Sequence, residues 1–188
     1  MSASKEDLLL WSRIHWPSID LRPPELVQMT NAAKTTENYN HFLYLLTRHF
    51  KPTLMVETGT DRGRSAAHMA RGNPTGNVVT IDIDPACSAQ AMALGLANVT
   101  AWTGESLDLV NRFMDRSIDL LFLDSLHTYE HTKAEWLAFQ PKLRRNALVL
   151  IDDVALDAGM AQFWDELPEP KLALNHLHFS GFGAWWPA

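Results

Sequence analysis

The chain predicts an α/β domain built on a mostly parallel sheet, and three observations carry that expectation. Apolar runs short enough to be buried strands alternate with helical patterns from residue 53 to about residue 151. The run Leu120–Leu123 is apolar throughout, as a strand covered on both faces must be, and it stops at Asp124 with His127 three residues on. The run Ala147–Ile151 stops the same way, at Asp152-Asp153. In open parallel sheets ligands sit beyond the carboxyl ends of the strands. Three carboxylates and an imidazole delivered to that edge mark an active centre.

Taken in order, Ser4 to Trp16 reads as a helix. Ser4 with Asp7 resembles a capping box, and Leu8, Leu9, Trp11 and Ile14 share a side. Pro17, Pro23 and Pro24 then break the chain, and a second helix is expected over Thr36–Phe50, ended by Pro52. These helices, within residues 1–52, precede the first strand and are expected to form a flank or lid on a core over 53–188, within a single domain. The strand Thr53–Glu57 leads through Gly59-Thr-Asp-Arg-Gly63 into a helix carrying Ala66, Met69 and Ala70, with Gly72 as its stop. Asn77–Ile81 is the next strand, ending at Asp82. Asp84-Pro85 supply the N-cap and first residue of the following helix, which Gly95 closes.

Asn98–Trp102 is the third strand, followed by Gly104-Glu105-Ser106 and a helix to about Met114. After the strand at Leu120 come a helix over about Tyr129–Leu143, the strand to Ile151, and a short helix over Ala158–Leu167. The tail changes rhythm. Lys171–Phe179 and Ala184–Trp186 flank Ser180-Gly-Phe-Gly183 and read as a hairpin, which places an antiparallel strand in the sheet. In those runs His176 and His178 read as a solvent-facing pair, and Trp185 and Trp186 as sheet packing or a subunit contact.

Composition narrows the function classes. A formal net charge of -6 with no Lys/Arg-dense block argues against nucleic acid as a ligand. No apolar run approaches a membrane span, the N-terminus is unlike a signal peptide, and the single cysteine, Cys87, reads as a small buried helix residue in a reducing compartment. A cytoplasmic enzyme of 188 residues is the expectation.

The loop Glu57-Thr-Gly59-Thr-Asp-Arg-Gly63 puts an acidic residue at a strand end and glycines where backbone can approach a ligand at a helix N-terminus. Its spacing is not the G-x-G-x-x-G of nicotinamide proteins. Asp82, at the end of the second strand, is placed to accept hydrogen bonds from a ribose diol. Together these favour nucleoside binding.

The series VETGTDRGRS, VVTIDIDP, WTGES, IDLLFLDSLHTYEH and LVLIDDV resembles the class I S-adenosylmethionine-dependent methyltransferases. More narrowly it is similar to the metal-dependent O-methyltransferase branch of macrolide-sugar and cephalosporin-pathway enzymes. The resemblance covers about Thr53 to Val154. It implies a Rossmann-like methyltransferase fold, with a mostly parallel seven-stranded sheet, one antiparallel strand near the C-terminus and helices on both faces. It also implies that Glu57, Gly59, Thr60, Gly63 and Ser65 surround the methionine part of S-adenosyl-L-methionine. Asp82 and Ile83 would hold the ribose, Glu105 and Ser106 would lie beside the adenine, and Asp124 would border the cofactor. Asp124, Asp152 and Asp153 would hold a divalent cation, with Mg²⁺ suited to an all-oxygen set. His127 would remove a proton from a small hydroxylated substrate. Where the branch has a glycine pair before the fifth strand, this chain has Arg145-Asn146, read as a turn. The short acceptor-side segments leave the substrate open and allow a second copy, in a homo-oligomer, to complete its site.

Two readings from other classes compete. His127-Thr-Tyr-Glu130-His131 spells the H-x-x-E-H of inverted zinc peptidases, which requires both histidines on one helical face. A cofactor-binding fold kept as a non-catalytic interaction subunit is the other, but it does not require Asp124, His127, Asp152 and Asp153.

Overall fold

The structure, a computed structural model, describes residues 4–13, 22–33 and 39–187, with side chains omitted for 29–33. Seven strands form one sheet in the order β3-β2-β1-β4-β5-β7-β6. These are β1 Leu54–Thr58, β2 Asn77–Asp82, β3 Val99–Thr103, β4 Ile118–Leu123, β5 Leu143–Asp152, β6 Lys171–Ala173 and β7 Phe182–Trp185. The first five pair in parallel, and β7 runs antiparallel to both β5 and β6. The sheet is thus mostly parallel and Rossmann-like, as expected, with its direction of winding reversing between β1 and β4.

Alternation along the strands divides the core into two layers. Met55, Val78, Leu120, Phe122, Leu148 and Leu150 face a layer with Leu8 of α1 (Lys5–Ser12), Phe42 and Leu43 of α3 (Tyr39–Phe50) and Met69 of α4 (Arg64–Gly72). Their neighbours Val56, Ile81, Leu121, Leu123, Val149 and Ile151 face Phe139 of α7 (Tyr129–Phe139) and Phe163 of α8 (Ala158–Glu166). Two covered faces explain why these strands carry apolar runs instead of alternation with polar residues. Helix α5 (Pro85–Ala93) starts at Asp84, whose carboxylate accepts from the Ala86 N–H at 2.8 Å, and a short α6 (Ser106–Leu109) follows β3.

Several expectations need correction. Pro24 begins a helix, α2 (Pro24–Ala33), because proline is tolerated in a first turn whose N–H groups have no partners. Gly72 does end α4, as expected, but not in a left-handed conformation. It is the last residue of α4, and a Cβ there would stand 2.0 Å from Thr47 Oγ1 and 2.4 Å from the Tyr44 carbonyl oxygen, so its role is close contact with α3. Arg145-Asn146 lie inside β5, where the pairing with β4 shifts register, and not in a turn. In the tail only Lys171–Ala173 and Phe182–Trp185 are strand, and the segment between them loops back to the sheet edge. Trp185 is sheet packing: its ring meets Trp136 edge-on at 5.5 Å and its Nε1 donates to the Pro168 carbonyl at 2.9 Å. The expected continuation of the first helix through Ile14 to Trp16, the break at Pro17 and the expected helix start at Thr36 lie outside the described residues. No helix among the described residues is long and apolar enough to cross a membrane.

Candidate active site

A cavity of about 720 Å³ opens at the carboxyl ends of β1, β2, β4 and β5. One part of its lining is the loop after β1. Gly59 there has φ +87°, and a Cβ on it would fall 1.8 Å from the Asp124 carbonyl oxygen, so only glycine lets this loop lie against the end of β4. Thr60, Ser65, Asp82, Ile83, Glu105 and Ser106 also line the cavity, as do Asp124, His127, Asp152 and Asp153.

Asp82 orders the loop. Its Oδ2 accepts from the backbone N–H groups of Thr60 at 2.9 Å and Asp61 at 3.2 Å, and its Oδ1 accepts from Asp84 at 2.9 Å. A carboxylate has about four acceptor positions, so room remains for about one further donor.

Glu57 and Gly63 do not line the cavity. Gly63, with φ +72°, caps α4 from behind the loop. Glu57 is fully buried, with one oxygen accepting from Thr80 Oγ1 at 2.6 Å and the other lacking a hydrogen-bond partner among the described residues. Burial raises its pKa to about 7, against the opposing pull of the Ser65 and Thr80 hydroxyls, with Asp82 and Asp61 adding a smaller push upward.

At the ends of β4 and β5 the carboxylates crowd. Burial first, then the Asp152 carboxylate, then Glu57, hold the Asp124 carboxyl well above the usual carboxylate range. His127 lies between elements, its Nε2 3.7 Å from Asp124 Oδ1 and 3.4 Å from Asp153 Oδ2.

A residue that the sequence reading turned toward solvent joins them. His178 is only 8% exposed, and its Nδ1 stands 2.9 Å from Asp152 Oδ1 and 3.2 Å from Asp153 Oδ1. Ser180 Oγ donates to Asp153 Oδ1. The solvent-facing histidine pair is therefore corrected: His176 is exposed and reaches the Ser12 carbonyl oxygen at 3.1 Å, while His178 turns to the β5 carboxylates. Among the described residues, the ligand atoms that converge within 4.8 Å of one another belong to Asp152, Asp153 and His178, with Asp124 outside this trio.

Sequence reasoning also missed Tyr39, Asn40, Ser125 and His131 in the lining, and Glu135 behind it. Glu135 on α7 is 1% exposed. It accepts from Thr58 Oγ1 at 3.2 Å, from Ser125 Oγ at 2.8 Å and from Ser106 Oγ, and His131 Nε2 lies 3.4 Å away. Asn40 Oδ1 is buried at the cavity without a hydrogen-bond partner among the described residues. Cys87 is half-buried on the cavity lining, not in the core, because its helix flanks the opening. The H-x-x-E-H pair does not act as a unit: His127 precedes α7 and faces Asp124 and Asp153, whereas His131 faces Glu135.

Comparison with known proteins agrees with this architecture. A family profile described as a methyltransferase domain matches residues 56–154, just over half of the chain. The tRNA (guanine-N(7)-)-methyltransferase of Lacticaseibacillus casei is 28% identical over 109 residues, covering 55% of this chain and 51% of that protein. The chain spans about half the length, or less, of the curated relatives it matches. Among solved structures, a SAH-bound methyltransferase of Podospora anserina superposes with a TM-score of 0.72 at 19% identity, over 89% of each chain. An O-methyltransferase from Bacillus cereus, also in complex with SAH, superposes with a TM-score of 0.66 at 19% identity over 94% of each. The sheet order, the cavity at its carboxyl edge and the profile match together place this chain in the methyltransferase-domain family, with the fold of the class I S-adenosylmethionine-dependent enzymes.

Proposed function

We propose that this chain transfers a methyl group from S-adenosylmethionine to a hydroxyl oxygen of a small molecule. The observation that carries this reading is the convergence of Asp124, His127, Asp152 and Asp153 on the same cavity as the Gly59 loop, Asp82 and Glu105-Ser106. The loop and Ser65 would receive the methionine part, the remaining acceptor position of Asp82 and the neighbouring Ile83 the ribose, and Glu105 with Ser106 the adenine. Glu57 and Gly63 would support that side from behind. The buried Asn40 Oδ1 offers an acceptor to an N–H or O–H of whichever ligand reaches it.

S-adenosylmethionine, when bound, would supply the methyl group, and His127 lines the same cavity that would take the acceptor hydroxyl. In-line transfer would join the methyl to the hydroxyl oxygen, with the S–CH₃ bonding pair going to sulfur, and His127 would hold the hydroxyl proton. S-adenosylhomocysteine leaves with the methylated product. A divalent cation at the acidic rim, when bound, would lower the pKa of the substrate hydroxyl and orient its oxygen. Asp152 and Asp153 fit such an ion as converging oxygen donors, with Asp124 as the third carboxylate that the resemblance implies. The all-oxygen set that the resemblance implies would suit Mg²⁺. The net charge of -6 supports a small-molecule acceptor over a nucleic acid.

Calorimetric titration with S-adenosylmethionine, S-adenosylhomocysteine and NAD tests the donor. We expect the first two to bind, and binding of NAD alone overturns the reading. Labelled methyl transfer to a panel of phenols, sugars and hydroxylated natural products tests the acceptor. EDTA should abolish that turnover and a divalent ion restore it.

A further inference from the structure

We infer that the cation site of this chain contains a nitrogen ligand: Asp152, Asp153 and His178 form one face of an octahedral centre. Such a centre selects first-row transition ions such as Mn²⁺ over Mg²⁺. The inference rests on the methyltransferase reading for its purpose but not for its geometry. Two ligand atoms about 2.1 Å from an ion and at right angles around it stand about 3 Å apart. His178 Nδ1 lies 2.9 Å from Asp152 Oδ1 and 3.2 Å from Asp153 Oδ1, so the imidazole already stands at that spacing from both carboxylates, and the ligand atoms of the three side chains lie within 4.8 Å of one another.

The trio is held in place by what surrounds it. Strand β5 ends in Asp152, and β7 runs antiparallel beside it, pairing Phe182 with Asp152, which returns the His178–Gly181 segment to the carboxylates. Ala155 N–H donates to the Ser180 carbonyl at 2.8 Å and fixes the two loops to one another. The His178 ring is gripped edge-on by Tyr39 at 5.5 Å and by Phe179 at 4.8 Å between centroids, which limits its rotation. Ser180 Oγ, donating to Asp153, supplies the outer hydrogen bond that steadies a ligating carboxylate.

The chemical consequence follows from ligand type. Carboxylates and water suit Mg²⁺, whereas imidazole suits transition ions, whose affinity rises from Mn²⁺ through Fe²⁺ and Co²⁺. With His178 in the set, Asp124 is released from ligation and left beside His127, where it can orient the imidazole.

The test uses the full-length protein stripped with EDTA and titrated calorimetrically with Mn²⁺ and with Mg²⁺. Wild type should bind Mn²⁺ at least tenfold more tightly than Mg²⁺. Removing an outer partner of a metal ligand already costs roughly 10- to 100-fold in affinity. His178→Ala should therefore weaken Mn²⁺ by roughly tenfold or more while moving Mg²⁺ by less than about threefold. Equal affinity of wild type for the two ions, no Mn²⁺ binding, or Mn²⁺ binding untouched by His178→Ala overturns the proposal. Should the variant fail to fold, pulsed electron paramagnetic resonance on Mn²⁺-loaded wild type decides: directly coordinated nitrogen is expected, and an all-oxygen signal overturns it. Binding of S-adenosylhomocysteine, measured separately, reports on the methyltransferase reading alone.

Discussion

Two carboxylate groupings meet the same cavity and are satisfied in opposite ways. Glu135 is a single acid surrounded by donors: hydroxyls from β1, from α6 and from the β4–α7 connection, with the His131 ring close by. At the ends of β4 and β5, three acids share two imidazoles and one serine hydroxyl. The first grouping is closed, so its negative charge is spent inside the protein. The second carries more acid than its neighbours can neutralise, and the pKa of Asp124, raised first by burial and then by the Asp152 carboxylate, reflects it. A closed network fixes walls, whereas an open one waits for something positive or proton-bearing.

The largest expected effect comes from opening the closed network. Glu135→Ala leaves three hydroxyl donors facing a cavity and should destabilise the fold by about 3–5 kcal/mol in urea unfolding. It should also weaken S-adenosylhomocysteine binding, because Thr58, Ser106 and Ser125 all line the cavity. A variant as stable as wild type would show that Glu135 is not the hub its contacts suggest. Next comes the open grouping. His127→Ala should lower turnover by roughly 10²- to 10⁴-fold with cofactor affinity held within about threefold. Loss of affinity instead of rate would move His127 from proton transfer to binding.

Glu57 is intermediate, a buried acid that accepts from Thr80 Oγ1, and it tests the comparison through pH. The folded protein keeps its proton to about pH 7, whereas the unfolded chain releases it near 4.5. Its neutral form is therefore fully accommodated below pH 4.5, and stability falls as pH rises from there to about 7. From the size of that shift the loss is on the order of 3 kcal/mol at most. Glu57→Gln should flatten this part of the stability profile; a slope identical to wild type assigns the pH dependence to other groups. Smallest is Asp124→Asn, which mimics the protonated form that burial and the neighbouring carboxylates favour. Thermal unfolding in EDTA at pH 8 should show a stability within about 1 kcal/mol of wild type or slightly above it. A large loss would mean that Asp124 is paired where the geometry shows competition.

The same contrast explains what could be read from the sequence. Asp124, Asp152 and Asp153 were visible because each ends an apolar run, and a parallel sheet takes such ends to one edge whatever the tertiary detail. Asp84-Pro85 was visible because its capping chemistry is local. Glu135 was not, since nothing near it in sequence distinguishes it from any helical glutamate and its partner Thr58 is 77 residues away. His178 was hidden for a related reason: the alternation Leu174-Asn-His-Leu-His-Phe179 imitates a strand, and only the pairing of β7 with β5 turns that segment toward the acids. Helix α2 was lost because prolines were read as breaks where one of them starts a helix.

The glycine after β1 has a mechanical consequence. With the Gly59 backbone seated where any side chain would strike the Asp124 carbonyl, the wall that would grip the methyl donor and the strand end that faces the acceptor cannot slide past one another. Their alignment is set by the absence of one methyl group. A larger residue at that position would act as a wedge, prising donor from acceptor without touching either.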